Sequence, residues 1–233
     1  MQPRIVAALL AAGALLVLCN SAGAIPIQVT ASGTFTEEGA ALIPEGTPWS
    51  LTLVYDSSAP DLTPDLTEGL YAAYQTLELA IGGQLYSLSD LDASRSNIQI
   101  FNDRLSPGGT SYRDVLRFRG GIAGTTLNFN LITAFGYAQP GGGPLSDDAL
   151  ISDPALLNFL FHNQQDPGWE FTDFIFFDLQ PGETTTSVFA VGTVDLFSAS
   201  ATPTSVPEPG TSALLSIGLL LLVSLRSRRA MKG

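Results

Sequence analysis

The chain has 233 residues, 45% of them hydrophobic and only 14% charged, with 22 acidic against 10 basic side chains and a formal net charge of −12. So acidic a balance disfavours contact with nucleic acid or an anionic lipid surface, because like charges repel. The single cysteine, Cys19, lies within the first 24 residues, so the rest of the chain has no thiol for a disulfide, a thiolate metal site or cysteine catalysis.

Met1-Gln2-Pro3-Arg4 opens the chain with one side-chain positive charge. Ile5–Leu18 follows as 14 small or apolar residues, and Ala22-Gly23-Ala24 places small residues just before Ile25. Charge, then an apolar core, then small residues predicts a secretory signal peptide over residues 1–24, cut after Ala24 by signal peptidase. Its apolar stretch is short for a membrane span.

Residues 25–206 carry 21 acidic and five basic side chains (Arg95, Arg104, Arg113, Arg117 and Arg119), a net charge of −16 with no lysine. That length suffices for one domain with its own core. The hydrophobic period there is two. Ile25, Ile27, Val29, Ala31 and Phe35 alternate with mostly polar neighbours, as do Trp49, Leu51, Leu53 and Tyr55, and Leu127, Phe129 and Leu131. Each pattern predicts a half-buried strand. Gly82-Gly83, between Leu77–Ile81 and Leu85–Leu88, predicts a two-residue hairpin. Asn97–Phe101 and Val115–Arg119 read as further short strands. Phe174–Phe177 and Ser187–Phe197 are apolar on both faces and read as central strands.

Turn clusters separate these runs, at Pro44-Glu45-Gly46, Asp56–Pro60, Ser106–Gly109, Pro140–Pro144 and Pro181-Gly182. One short helix is expected, with Asp153 as N-cap, Pro154 at its first position and Ala155–Phe161 following. The predicted fold class is all-β: an antiparallel, jelly-roll-like β-sandwich over residues 25–198 with that one helix on its edge.

Catalytic chemistry is sparse. His162 is the only histidine, so a serine triad or zinc site would rest on it alone; a surface or C-cap position after the helix fits it better. No phosphate-binding glycine loop or His-Glu-x-x-His motif occurs. No catalytic residue is nominated, and the chain is expected not to be an enzyme. Asp90-Leu91-Asp92 and Asp147-Asp148 offer oxygen ligands for Ca²⁺, without the glycine and distant glutamate of an EF-hand loop. No other cofactor is expected. Trp49 falls in strand phase and belongs in the core. Trp169, in Asp166-Pro167-Gly168-Trp169, is expected on a loop and is the better candidate for stacking on a sugar ring.

Residues 199–209, Ala-Ser-Ala-Thr-Pro-Thr-Ser-Val-Pro-Glu-Pro, read as an extended linker. Residues 210–225 follow as a 16-residue, mostly apolar stretch. As a helix it would be about 24 Å long, somewhat under a ~30 Å hydrocarbon core, and it is read as a single transmembrane helix that begins after Pro207 and Pro209. Residues 226–233 hold Arg226, Arg228, Arg229 and Lys232. Positive charge there predicts a cytoplasmic tail, with residues 25–209 outside.

Val206-Pro207-Glu208-Pro209, the Gly210–Leu225 stretch and the arginine-rich end together resemble the PEP-CTERM sorting signal of Gram-negative bacteria. The resemblance covers residues 206–233 and rests on the order, spacing and C-terminal position of the three parts. It implies recognition of Val206, Pro207, Glu208 and Pro209 by an exosortase, with Arg226, Arg228 and Arg229 as the retention signal. It implies export through the inner membrane, transient anchoring and delivery to the cell surface or extracellular matrix. Exopolysaccharide is an expected partner, and nucleic acid is not. The body also resembles exported PEP-CTERM proteins loosely, through Tyr55-Asp56, Pro60-Asp61, Gly69-Leu70-Tyr71 and Asn102-Asp103 upstream of Asp114. The expected role is adhesive or structural, in envelope or biofilm. The alternatives are a calcium-aided carbohydrate-binding module and a secreted glycoside hydrolase built on paired carboxylates.

Overall fold

A computed structural model describes residues 25–38, 43–63, 65, 67–106, 109–162, 168–178 and 187–202. They lie within one compact unit, Ala24–Thr202. The predicted signal peptide, the Pro-Glu-Pro segment, the predicted membrane helix, the basic tail and the Pro181-Gly182 turn fall outside the described residues. Among the described residues, no helix is long and apolar enough to cross a membrane.

The strands are β1 (Pro26–Glu38), β2 (Pro48–Asp56), β3 (Glu68–Tyr71), β4 (Tyr74–Ile81), β5 (Gln84–Ser87), β6 (Leu91–Leu105), β7 (Tyr112–Ile122), β8 (Leu127–Tyr137), β9 (Trp169–Asp178), β10 (Ser187–Thr193) and β11 (Leu196–Ala201). All pair antiparallel in one sheet of order β3-β6-β7-β8-β9-β10-β1-β2-β4-β5, with β11 also on β1. Helix α1 spans Pro154–His162.

Period-two alternation sets the buried face. In β2, Trp49, Leu51, Leu53 and Tyr55 are buried while Pro48 and Ser50 are exposed. In β1, Ile27, Val29, Ala31 and Phe35 point the same way. Gly82 and Gly83 both take positive φ, +54° and +89°, and Ile81 pairs with Gln84, which is the two-residue hairpin the sequence predicts.

The sheet curls because β1 serves both of its halves. Ile27–Ser32 pair with β11, whereas Phe35–Glu38 pair with β10, across a register shift. At this corner Trp49 covers the two glycines, Gly33 and Gly192; a Cβ on Gly192 would sit 2.7 Å from the indole Nε1. The halves meet across one core. Trp49 of β2 stacks on Phe174 of β9 with centroids 4.1 Å apart, and Tyr55 lies 6.1 Å from Phe118 of β7. The expected sandwich is therefore one curled antiparallel sheet. From β6 to β10 each strand pairs with the next in sequence, which is a meander and not the interleaved order of a jelly roll.

Two expectations shift, and one strand is unexpected. Ser187–Phe197 is two strands, and only β10 is central; β11 pairs with β1 alone. The sheet continues through Ala201, three residues into the stretch read as linker, and the Thr202 N–H donates to the Pro26 carbonyl at 2.8 Å. The body therefore begins and ends at one place. β3 lacks a readable alternation because it is only four residues long.

Helix α1 begins as expected. The Ala155 N–H donates to Asp153 Oδ1 at 2.8 Å. Phe161 stacks on Phe197 at 4.0 Å, and Asn158 clasps the outer edge of β11, its amide donating to the Ala199 carbonyl at 3.0 Å and accepting from the Ala199 N–H at 2.8 Å.

Candidate functional site

The residues nominated from sequence do not converge. Asp90 accepts from the Ser87 N–H (2.8 Å) and hydroxyl (2.7 Å) around a single 3-10 turn, Leu88–Asp90. Asp92 accepts from the Ser94 N–H and hydroxyl and pairs with Arg95 at 3.0 Å. Those hydrogen bonds favour the carboxylate, so both groups sit below the ordinary aspartate pKa. Asp147 accepts from the Ala149 N–H at 3.0 Å, and Asp148 contributes its backbone carbonyl to Tyr71. Among the described residues, no group of three or more His, Asp or Glu is placed to hold a metal. Asp90 and Asp147 brace local turns, and Asp92 braces the start of β6.

Trp169 is the first residue of β9 and not part of the preceding loop. It is half-buried against the core, and its indole N–H donates to Thr172 Oγ1 at 3.0 Å. One edge of the ring is thus committed to the protein. His162 closes α1 and sits exposed, with Nδ1 2.9 Å from the Asn158 carbonyl, as a helix-end histidine.

A different cluster does converge. In β7 the even residues face inward, and Asp114 takes one of those positions, fully buried beside Leu116 and Phe118. One extra residue between Phe101 and Arg104 bulges β6, leaving Asp103 at φ +54°. The bulge turns Asp103 toward Asp114. Tyr137, at the end of β8, places its hydroxyl between them, hydrogen-bonded to Asp114 Oδ1 and 3.0 Å from Asp103 Oδ1. Backbone donors complete the shell. The Asp103 N–H reaches Asp114 Oδ1 at 3.1 Å, the Leu145 N–H reaches Asp114 Oδ2 at 2.8 Å, and the Gly141 N–H reaches Asp103 Oδ1 at 2.6 Å.

Burial pushes the Asp114 carboxyl above the ordinary aspartate pKa, against the opposing pull of these donors. Burial and the two carboxyls push the Tyr137 phenol up as well. The Tyr137 hydroxyl is placed to donate to either carboxyl, Asp114 Oδ1 or Asp103 Oδ1, and so ties the two together. The cluster pins the Gly141–Pro144 turn. That turn forms one wall of an open groove of about 560 Å³, with Phe135, Leu156 and Phe159 opposite. Phe159 of α1 is exposed and stacks with Phe135 at 6.4 Å. A sequence signal for this cluster exists: Asp114 breaks the polar-out alternation of Arg113, Arg117 and Arg119 from the inward side.

The PEP-CTERM protein-sorting motif matches residues 205–229. The match takes in Val206-Pro207-Glu208-Pro209 and Arg226, Arg228 and Arg229. No curated protein matches the chain, and no solved structure matches it. The chain carries a PEP-CTERM sorting signal, and that signal implies export, processing by an exosortase and a place at the cell surface.

Proposed function

We propose that this PEP-CTERM protein is held transiently in the inner membrane by its Gly210–Leu225 segment. Exosortase then cuts it near Pro207-Glu208-Pro209 and releases the acidic β body to the cell surface. There the body acts without catalysis, as an adhesive or structural component of envelope or biofilm. The observation that carries the reading is the sorting-motif match at residues 205–229, immediately behind a body with a core of its own.

Physical chemistry favours each part. Proline suits neither a helix interior nor a central strand, so a motif with prolines at 207 and 209 fits an enzyme that reads extended chain. The arginines of the tail resist translocation and hold the motif near the outer membrane face. The carboxyl pair best placed for acid–base work, Asp103 and Asp114, has Asp114 fully enclosed, whereas a general acid must reach its substrate. That favours a structural role for the pair. The surface acids give self-repulsion, which keeps an exported body soluble.

The test is mass spectrometry of the secreted protein from cells with and without exosortase. With the enzyme, the C-terminus is expected to lie near Pro209, with Ala213–Gly233 missing. An intact tail in both strains would overturn cleavage, and intact full-length chain confined to the cytosol would overturn export.

A further inference from the structure

Every basic side chain of the body lies on β6 or β7. Two of the five are occupied by acids and carbonyls. Arg95 reaches Asp92 (3.0 Å), the carbonyls of Ile122 (2.7 Å) and Thr125 (2.9 Å), and Asn128 Oδ1 (3.3 Å), stitching β6 to the β7–β8 turn. Arg113 pairs with Glu170 at 2.8 Å. Arg104, Arg117 and Arg119 remain.

These three share one face. The even residues of β7 are buried, so Arg117 and Arg119 project from the outer side of the sheet. Arg104 and Arg117 both lie over the Phe101 ring, with Cζ 4.5 Å and 5.7 Å from its centroid. Arg117 also donates to Gln99 Oε1 at 3.0 Å, a neutral partner that leaves its charge unbalanced. Among the described residues, no carboxylate comes within ion-pair distance of any of the three. Glu68 on β3 moderates Arg117 only through space. Burial and mutual repulsion lower the pKa of Arg117, and burial and Arg95 lower that of Arg119. Among the described residues, these like charges are thus held side by side without an ion-pair partner.

The unmet hydrogen bonds on this face are of both kinds. Arg117 Nε and Arg119 Nε are enclosed donors without partners. Asn97 and Asn130, the strand neighbours of Arg119 on either side, each have an enclosed Oδ1 acceptor without a partner. Those enclosed atoms are shut off from a ligand; what the face offers outward is a row of guanidinium forks, and a carboxylate suits such a fork. Residues two apart on a strand are about 6.6 Å apart, so the row asks for acid groups in series.

We infer that the outer face of β6–β7–β8, around Arg104, Arg117 and Arg119, binds an acidic polysaccharide. Uronate carboxylates meet the outward ends of the arginines. The body's net charge does not forbid this. At physiological salt the screening length is about 8 Å, so remote carboxylates are muted and the local row decides. The inference concerns the body and stands whether or not the tail is cut.

The experiment titrates the full chain, in mild detergent, with polygalacturonate, with monomeric galacturonate and with neutral dextran. Binding of polygalacturonate that weakens as salt rises, little binding of the monomer and none of dextran are expected. The R117Q/R119Q variant should bind at least about tenfold more weakly, and R117K/R119K should recover part of the loss. R104Q, at an exposed site, gives a second reading should the double variant melt early; it should also weaken binding. Equal affinity in wild type, R104Q and a folded R117Q/R119Q would overturn the inference, as would preference for dextran or the monomer. Sedimentation provides the remaining arm. If R117Q/R119Q alters self-association and leaves polymer binding intact, the face is a contact between copies, and the polysaccharide assignment falls.

Discussion

Asp114 occupies a strand position where the alternation of β7 asks for a leucine. Burial raises the pKa of its carboxyl, and this sets a pH signature. A carboxyl with a raised folded pKa favours the folded state fully below its unfolded pKa, near 3.9, and that contribution is lost as pH rises through the higher folded value. Asp114→Asn removes the titration. The melting temperature of D114N relative to wild type is therefore expected to climb as pH rises above about 4, as read by thermal denaturation over a pH series. A flat difference would show that the carboxyl stays ionised when folded. Gly120 gives a second residue-scale expectation. It faces inward under the Phe129 ring, where a Cβ would collide with the ring edge. Gly120→Ala should cost about 1–3 kcal/mol in denaturant titrations, through forced displacement of Phe129. Neither residue's partner is readable in the sequence. Asp103 and Asp114 stand out there as acids, but the bulge that joins them shows only in the pairing of β6 with β7. Trp169 misleads in the opposite way, because one residue separates a loop position from the start of β9.

At the scale of elements, α1 guards an edge. β11 has β1 on one side only, and an open strand edge invites pairing with another chain. Asn158 blocks that edge by mimicking a strand, donating to and accepting from Ala199. Asn158→Ala should lower stability by about 1–2 kcal/mol for two lost hydrogen bonds and should raise the aggregation rate on storage, measured by light scattering. Elements with a full alternation or a committed turn are legible in the amino-acid string alone: β1, β2, the Gly82-Gly83 hairpin and the Asp153-capped helix. What escapes is set by tertiary pairing. β3 is too short to show a period, and the division of Ser187–Phe197 between β10 and β11 follows from the corner under Trp49, which no local pattern encodes.

At the scale of the molecule, two kinds of information are stored differently. The sorting signal is linear, so Pro207-Glu208-Pro209 and the arginines behind it are readable as a string. The arginine face is assembled across β6 and β7, and its odd-position periodicity in β7 gains meaning only once Glu170, Asn97 and Asn130 are placed beside it. The join of β1 to β11 adds a constraint of timing. Ile27 pairs with Ala201, so the first strand of the body waits for the last. In a chain that emerges N-terminus first, β1 stays half-unpaired until nearly everything ahead of the Pro-Glu-Pro segment has crossed. A stalled or truncated passenger would keep an open seam, while a finished one zips shut just as its address comes into view.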